Sequence, residues 1–104
     1  MFARIVSIHL KSNMLSDYTR SFESDILPLL RKQKGFKDEF TLSNSSSLDV
    51  VAISLWENRA SAEAYNTNTY PEVLKTFARL LDGTPKVQTF ESVTSTFHNV
   101  AVAA

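Results

Sequence analysis

The sequence predicts a single α+β domain of β-α-β-β-α-β order, with a four-stranded antiparallel sheet and its helices on one face. Three observations carry this. Four runs rich in β-branched and aromatic residues, at 2–10, 36–43, 48–56 and 86–98, read as strands. Two stretches between them repeat apolar residues at spacings of three and four, as amphipathic helices do. Only the polar turn Asn44-Ser45-Ser46-Ser47 separates the second and third strands, so those two form an antiparallel hairpin with a longish loop.

The first strand places Phe2, Arg4, Val6, Ile8 and Leu10 on one face and Ala3, Ile5, Ser7 and His9 on the other. Each face is mostly apolar, which suggests cover on both sides. Asn13 or Ser16 is the expected cap of the helix that follows. Leu15, Tyr18, Phe22, Ile26, Leu29 and Leu30 form its buried stripe. Pro28 falls inside this stripe and predicts a bend rather than two separate helices, because proline removes one backbone donor. Gly35 is placed to end the helix.

The run at 50–58, Val-Val-Ala-Ile-Ser-Leu-Trp-Glu-Asn, is the most apolar of the chain and ends on the single tryptophan. It reads as a central strand. By parity Val51, Ile53 and Leu55 are expected in the helix-covered core, and Ala52, Ser54 and Trp56 on the opposite face. Asn58 is expected to cap the next helix. Residues 66–68, Asn-Thr-Asn, should interrupt it. Thr69 and Glu72 have capping-box spacing for a fresh start, with Pro71 in the first turn, where a missing donor costs nothing. Val73, Leu74, Phe77, Leu80 and Leu81 supply the second buried stripe, closed by Asp82-Gly83. This order is the ferredoxin-like split βαβ pattern.

Eleven basic and eleven acidic residues in 104 leave a net charge near zero, which argues against a strong nucleic-acid or membrane binder. With no cysteine there are no disulfides, thiolate nucleophiles or cysteine metal sites. No apolar run approaches the roughly 18 residues of a membrane span, and the N-terminus lacks a signal-peptide pattern, so a cytoplasmic protein is expected. A sheet with helices on one face leaves the other bare. A bare face carrying Ile5 and Trp56 is an association surface. Two such sheets packed face to face would bury it and enclose a cavity, with the long last strand and the tail exchanging contacts across a two-fold axis.

Residues 51–58, followed by Ser61-Ala62-Glu63-Ala64-Tyr65, together with Gly35-Phe36 and the late Val87-Gln88-Thr89-Phe90-Glu91, resemble the antibiotic-biosynthesis-monooxygenase (ABM) domain family of the dimeric α+β barrel superfamily. The resemblance covers nearly the whole chain. It implies a homodimer binding a small planar apolar molecule of quinol or polyketide type, with cofactor-independent monooxygenation as its activity. The family's haem degraders use an Asn on the first strand and a Trp and a His in the second helical region. Counted without gaps from Trp56, those helical positions hold Tyr65 and Lys75, and the first strand offers Ser7 and His9 instead of Asn. Haem degradation is therefore not expected.

The candidate site follows from the bare face. His9, with a pKa near neutrality, is the candidate general base that removes a phenolic proton. Trp56 is the candidate wall for a planar ligand; Ser7, Ser54, Ile5 and Tyr65 complete the expected binding surface. Each also has a structural reading: a core or interface tryptophan, a hydrogen-bonded histidine, serines bonded to backbone. His98 is expected at the surface. No metal site is expected, because neither histidine has a sequence-local ligand partner. Only Gly35 and Gly83 are available, so no glycine-rich phosphate loop exists. With no flavin or nicotinamide motif, no cofactor is expected and the substrate's own electrons would have to reduce O₂. The alternative is a non-catalytic dimeric binding or scaffold module. Placement of His9 beside Trp56 at an enclosed cavity discriminates between the two.

Overall fold

The structure, a computed structural model, describes residues 1–44, 46 and 48–96. The elements follow the expected order: β1 (Phe2–His9), α1 (Leu15–Ser21), α2 (Leu27–Arg31), β2 (Phe36–Ser43), β3 (Asp49–Trp56), α3 (Arg59–Asn68), α4 (Tyr70–Phe77) and β4 (Lys86–Glu91). The strands form one sheet in the order β2-β3-β1-β4, all pairs antiparallel. β1 and β3 are therefore central, as the split βαβ pattern requires.

The first helical region is continuous, as expected, but its irregularity is specific. A π turn, Phe22–Ile26, joins α1 to α2, and Leu27 N–H donates to Phe22 O. Pro28 follows at the start of α2. Widening the ladder by one residue just before the proline absorbs its missing donor, and it presents Phe22 and Ile26 as buried residues. The expected cap at Asn13 or Ser16 does not form. Met14 holds the cap position without a side-chain bond, and Asn13 turns the chain in the left-handed region at φ 64°, which asparagine tolerates.

Gly35 does not sit at the helix end as a cap glycine. It lies four residues past Arg31 at φ 81°, with its carbonyl accepting from Glu57 N–H at 2.7 Å. A Cβ there would come within 2.6 Å of Ser61 Cβ, so the residue lets the start of α3 approach. Asn58 caps α3 as expected, accepting from Ser61 N–H at 2.9 Å. The interruption expected at 66–68 narrows to Thr69, whose side chain makes no capping bond, so the predicted capping box is absent. β4 ends at Glu91, and residues 92–96 are not strand. The rest of the expected last strand, His98 and the tail lie outside the described residues. No helix among the described residues is long and apolar enough to cross a membrane.

The register reverses the expected parity of β3. Phe2 stands opposite Trp56, Arg4 opposite Ser54, and Val6 opposite Ala52, while Ile5 faces Ile53 and Ser7 faces Val51. Phe2, Val6, Ile8, Val50 and Trp56 join Tyr18, Ile26, Leu30, Val73 and Phe77 in one core. Ala52, Ser54 and Trp56 thus belong to the helix side. Val51, Ile53 and Leu55 face away from the helices with Ala3, Ile5 and Ser7. The correction has a simple cause. Both residue sets are apolar, so alternation separates them without saying which set the helices cover.

Candidate functional site

One pocket lies between the sheet and the helices, and a separate hollow bordered by Ala3, Leu55 and Phe90 lies on the bare face. The first has a volume of about 40 Å³ and is lined by Arg4, Val6, Ala52 and Ser54 from the central strands, Glu39 from β2, Tyr18, Phe22 and Ile26 from the first helical region, and Tyr65, Tyr70, Val73 and Phe77 from the second. A wider groove of about 550 Å³ adjoins it, bordered by Leu15, Leu27, Arg31 and Thr41. Tyr18, Phe22 and Glu39 line both spaces and form the wall between them.

Most of the lining is aliphatic or aromatic, and the polar groups are few. Arg4 is 3% exposed. Its Nη2 donates to Asn66 Oδ1 at 2.8 Å. Its guanidinium carbon lies 4.0 Å from the Tyr70 ring centroid and 5.1 Å from that of Tyr65. Burial pulls the Arg4 pKa below its ordinary value. The side chain remains a cation at neutral pH, because guanidinium ionises only in strong base. Among the described residues the buried Tyr18 hydroxyl has no hydrogen-bond partner, and Arg4 Nε and the Tyr70 hydroxyl have none of good geometry, although the Arg4 and Tyr70 side chains interact with each other. Burial raises the pKa of all three tyrosines, that of Tyr65 to about 12. They are therefore protonated at neutral pH and act as donors.

Glu39 is the carboxyl of this wall. Partial burial raises its pKa, opposed by a hydrogen bond from Thr41 Oγ1 at 2.7 Å. A carboxyl moved toward neutrality in an apolar setting is suited to proton transfer.

The residues expected from the sequence are split between two faces. Ser54 and Tyr65 line the pocket. Ser54 Oγ accepts from Trp56 Nε1 at 2.9 Å and donates to Arg4 O at 3.4 Å, so the hydroxyl is occupied. Trp56 is fully buried and is absent from the pocket lining. Its indole packs 5.2 Å from the Tyr65 ring and 5.5 Å from that of Phe36, so it backs the wall instead of forming it. Ile5, Ser7 and His9 lie on the opposite face of the sheet. The expected pairing of His9 with Trp56 does not occur. His9 Nδ1 lies 2.7 Å from Asp49 Oδ1, and its Nε2 lies 3.9 Å from Asp82 Oδ2, at an exposed end of the sheet. Among the described residues no three His, Asp or Glu side chains converge as a metal ion would require.

Arg4, Tyr18 and Glu39 are the pocket residues that sequence reasoning missed. Arg4 had a signal, being the single charge on the apolar stripe Phe2-Arg4-Val6-Ile8-Leu10. Glu39 had none, because a register shift between Phe36 and Asp38 changes the parity of β2.

No family model matches the chain, and no curated protein matches it by sequence. Solved structures match its fold. A protein of unknown function from Nitrosomonas europaea aligns with a TM-score of 0.76 at 20% identity, over 92% of each chain. A monooxygenase from the gene ActVA-Orf6 of Streptomyces coelicolor, in complex with Nanaomycin D, aligns at 0.76 and 15% identity, over 92% of this chain and 90% of its own. SnoaB, a cofactor-independent oxygenase from Streptomyces nogalater, aligns at 0.77 and 11%, over 91% and 95%. The chain therefore has the ferredoxin-like α+β fold of the antibiotic biosynthesis monooxygenases. At these identities the likeness is one of fold.

Proposed function

We propose that the chain binds a small planar apolar molecule of phenol or quinol type in the pocket beneath the sheet, and oxygenates it without a cofactor. One observation carries this reading. A carboxyl of raised pKa, Glu39, shares an apolar pocket with the Tyr18 hydroxyl, which has no partner among the described residues, and with that of Tyr70 beside Arg4. Glu39 takes the phenolic proton. The ring of the resulting phenolate passes an electron pair to O₂ as a carbon–oxygen bond forms. The hydroperoxide then loses water and leaves a carbonyl. One oxygen atom stays on the ring, the other departs as water, and Glu39 gives up its proton. The tyrosines hold the oxygen on which charge develops. Sites for drug-sized ligands span roughly 300–1,000 Å³, so a two-ring ligand has to displace the Tyr18–Phe22–Glu39 wall and extend into the groove. The π turn at Phe22 is the irregular segment that borders it.

A second copy of the chain is the proposed partner. The face turned away from the helices carries Ile5, Ile53, Phe40 and Leu42, with Phe90 from β4, and Phe40 and Phe90 are about half exposed. Packing two such faces together removes that apolar surface from water.

Oxygen uptake with a panel of quinols, compared between the wild type and Glu39→Gln, tests the activity. Loss of uptake in the variant with retained ligand binding is expected. Unchanged uptake removes Glu39 from the mechanism. The displacement of His9 from the pocket favours a second reading, a binding module without catalysis. Quinol binding with no oxygen consumption in the wild type establishes that one instead.

A further inference from the structure

Arg4 carries a charge with no ion-pair partner among the described residues. The ion pairs among the described residues join His9 to Asp49 and Asp82, Asp17 to Arg20, and Glu72 to Lys75. None includes Arg4. Among the described residues its hydrogen bond of good geometry goes to the neutral side chain of Asn66, with a weaker interaction with the Tyr70 side chain, which is also neutral. Two tyrosine rings soften the cost of the buried cation through their π faces. They leave Nε without an acceptor of good geometry. A buried charge is costly unless it is paired. Beside this one, in the same pocket, the Tyr18 and Tyr70 hydroxyls also lack acceptors of good geometry among the described residues. All three unsatisfied groups offer a proton, two of them on side chains that are 97% or more removed from solvent.

We infer that the ligand of this pocket binds as an anion, an aromatic molecule whose carboxylate or phenolate oxygen accepts from Arg4 Nε and the Tyr18 and Tyr70 hydroxyls. This rests on the pocket reading above and names the charge state of its ligand; a phenol reaches that state when Glu39 takes its proton on binding. An anionic oxygen supplies both the missing acceptor and the missing countercharge. A neutral ligand of the same shape supplies at most the acceptor. Charge-assisted hydrogen bonds are about twice as strong as neutral ones, and in an apolar pocket the charge itself adds to the discrimination.

Two pairs of single-ring probes test the inference by calorimetric titration: benzoate against benzamide, and 4-nitrophenolate against nitrobenzene. The anion of at least one pair is expected to bind about tenfold or more tightly than its neutral counterpart. Arg4→Met, shown to be folded by circular dichroism, should abolish the preference, and Arg4→Lys should keep part of it. A second readout needs no variant. The visible phenolate band of 4-nitrophenol should develop at lower pH with the protein than without it, if the phenolate is the form bound. Preference for benzoate alone assigns a carboxylate, preference for 4-nitrophenolate alone a phenolate, and both together any planar anion. Equal binding of the anionic and neutral members of both pairs overturns the inference while the pocket reading stands. So does a preference that persists in Arg4→Met. Binding of no probe overturns both.

Discussion

The guanidinium of Arg4 lies 4.0 Å from the ring centroid of Tyr70, in a pocket where no carboxylate among the described residues forms an ion pair with it. The packing sets the Arg4 charge against aromatic faces and a neutral amide, and this determines how the site should respond to mutation.

Arg4→Met should not destabilise the ligand-free protein. A buried cation without a countercharge is costly to desolvate, so its replacement by an apolar side chain of similar length removes that cost, and exposed Asn66 can be hydrated when its donor is lost. Urea denaturation measures this. A loss of several kcal/mol would show that the cation–π contacts and the Asn66 bond outweigh desolvation.

Glu39 should make stability fall as pH rises. Its folded pKa lies above the unfolded value because burial opposes ionisation. The folded state therefore holds its proton more tightly, and stability declines as pH climbs through that raised value. Glu39→Gln should flatten this slope and be the more stable protein at neutral pH. Denaturation midpoints of both proteins at mildly acidic and neutral pH provide the check, and parallel slopes would contradict it.

The His9–Asp49 pair should stabilise the fold within a bounded pH window. The hydrogen bond to Asp49 raises the His9 pKa above 6.5, and the bond from His9 lowers that of Asp49 below 3.8. The histidine's contribution is complete below its unfolded pKa and is lost as pH rises through the raised one. The aspartate's contribution is present above its unfolded pKa and is lost as pH falls through the lowered one. The pair is therefore strongest between about pH 4 and 6.5. An NMR titration of the His9 ring should show a midpoint above 6.5 that drops in Asp49→Asn.

Phe40→Lys should weaken self-association. Phe40 is 45% exposed and stands opposite Ile53 on the sheet face that the helices leave bare. Sedimentation should give a dimer for the wild type and a larger monomer fraction for the variant. A wild-type monomer would refute the face-to-face arrangement.

Gly35→Ala should cost roughly 1–3 kcal/mol. The positive φ disfavours any Cβ, and Ser61 occupies the space that one would need. A thermal melt of the variant that matches the wild type would show that the turn before β2 shifts freely.

Much of the fold was legible in residue order. Runs of β-branched residues, two amphipathic stripes and the Asn58 cap mark local preferences, and local preferences survive folding when every element agrees with the whole. The misreadings lie where local rules compete with packing. Asn13 serves the turn and not the helix cap. Thr69 marks the break between helices without capping, and β4 stops at Glu91 although alternation continues.

The site was harder to read than the fold. Alternation along β1 and β3 determines that Arg4 shares a face with Val6, and Ser54 with Trp56. It does not determine which of two apolar faces lies under the helices. Only the antiparallel register, which sets Phe2 against Trp56 and Ile5 against Ile53, decides that. It moves Trp56 behind Tyr65 and sends His9 to the far side of the sheet. Arg4 comes to rest beneath two tyrosines that lie more than sixty positions further along the chain. The sequence by itself determined the elements and the residues that share each strand face, because those follow from the two-residue period of a single strand. The choice of buried face and the meeting of Arg4, Tyr18, Glu39 and Tyr70 were decided by tertiary structure alone, because both depend on how separate elements pack.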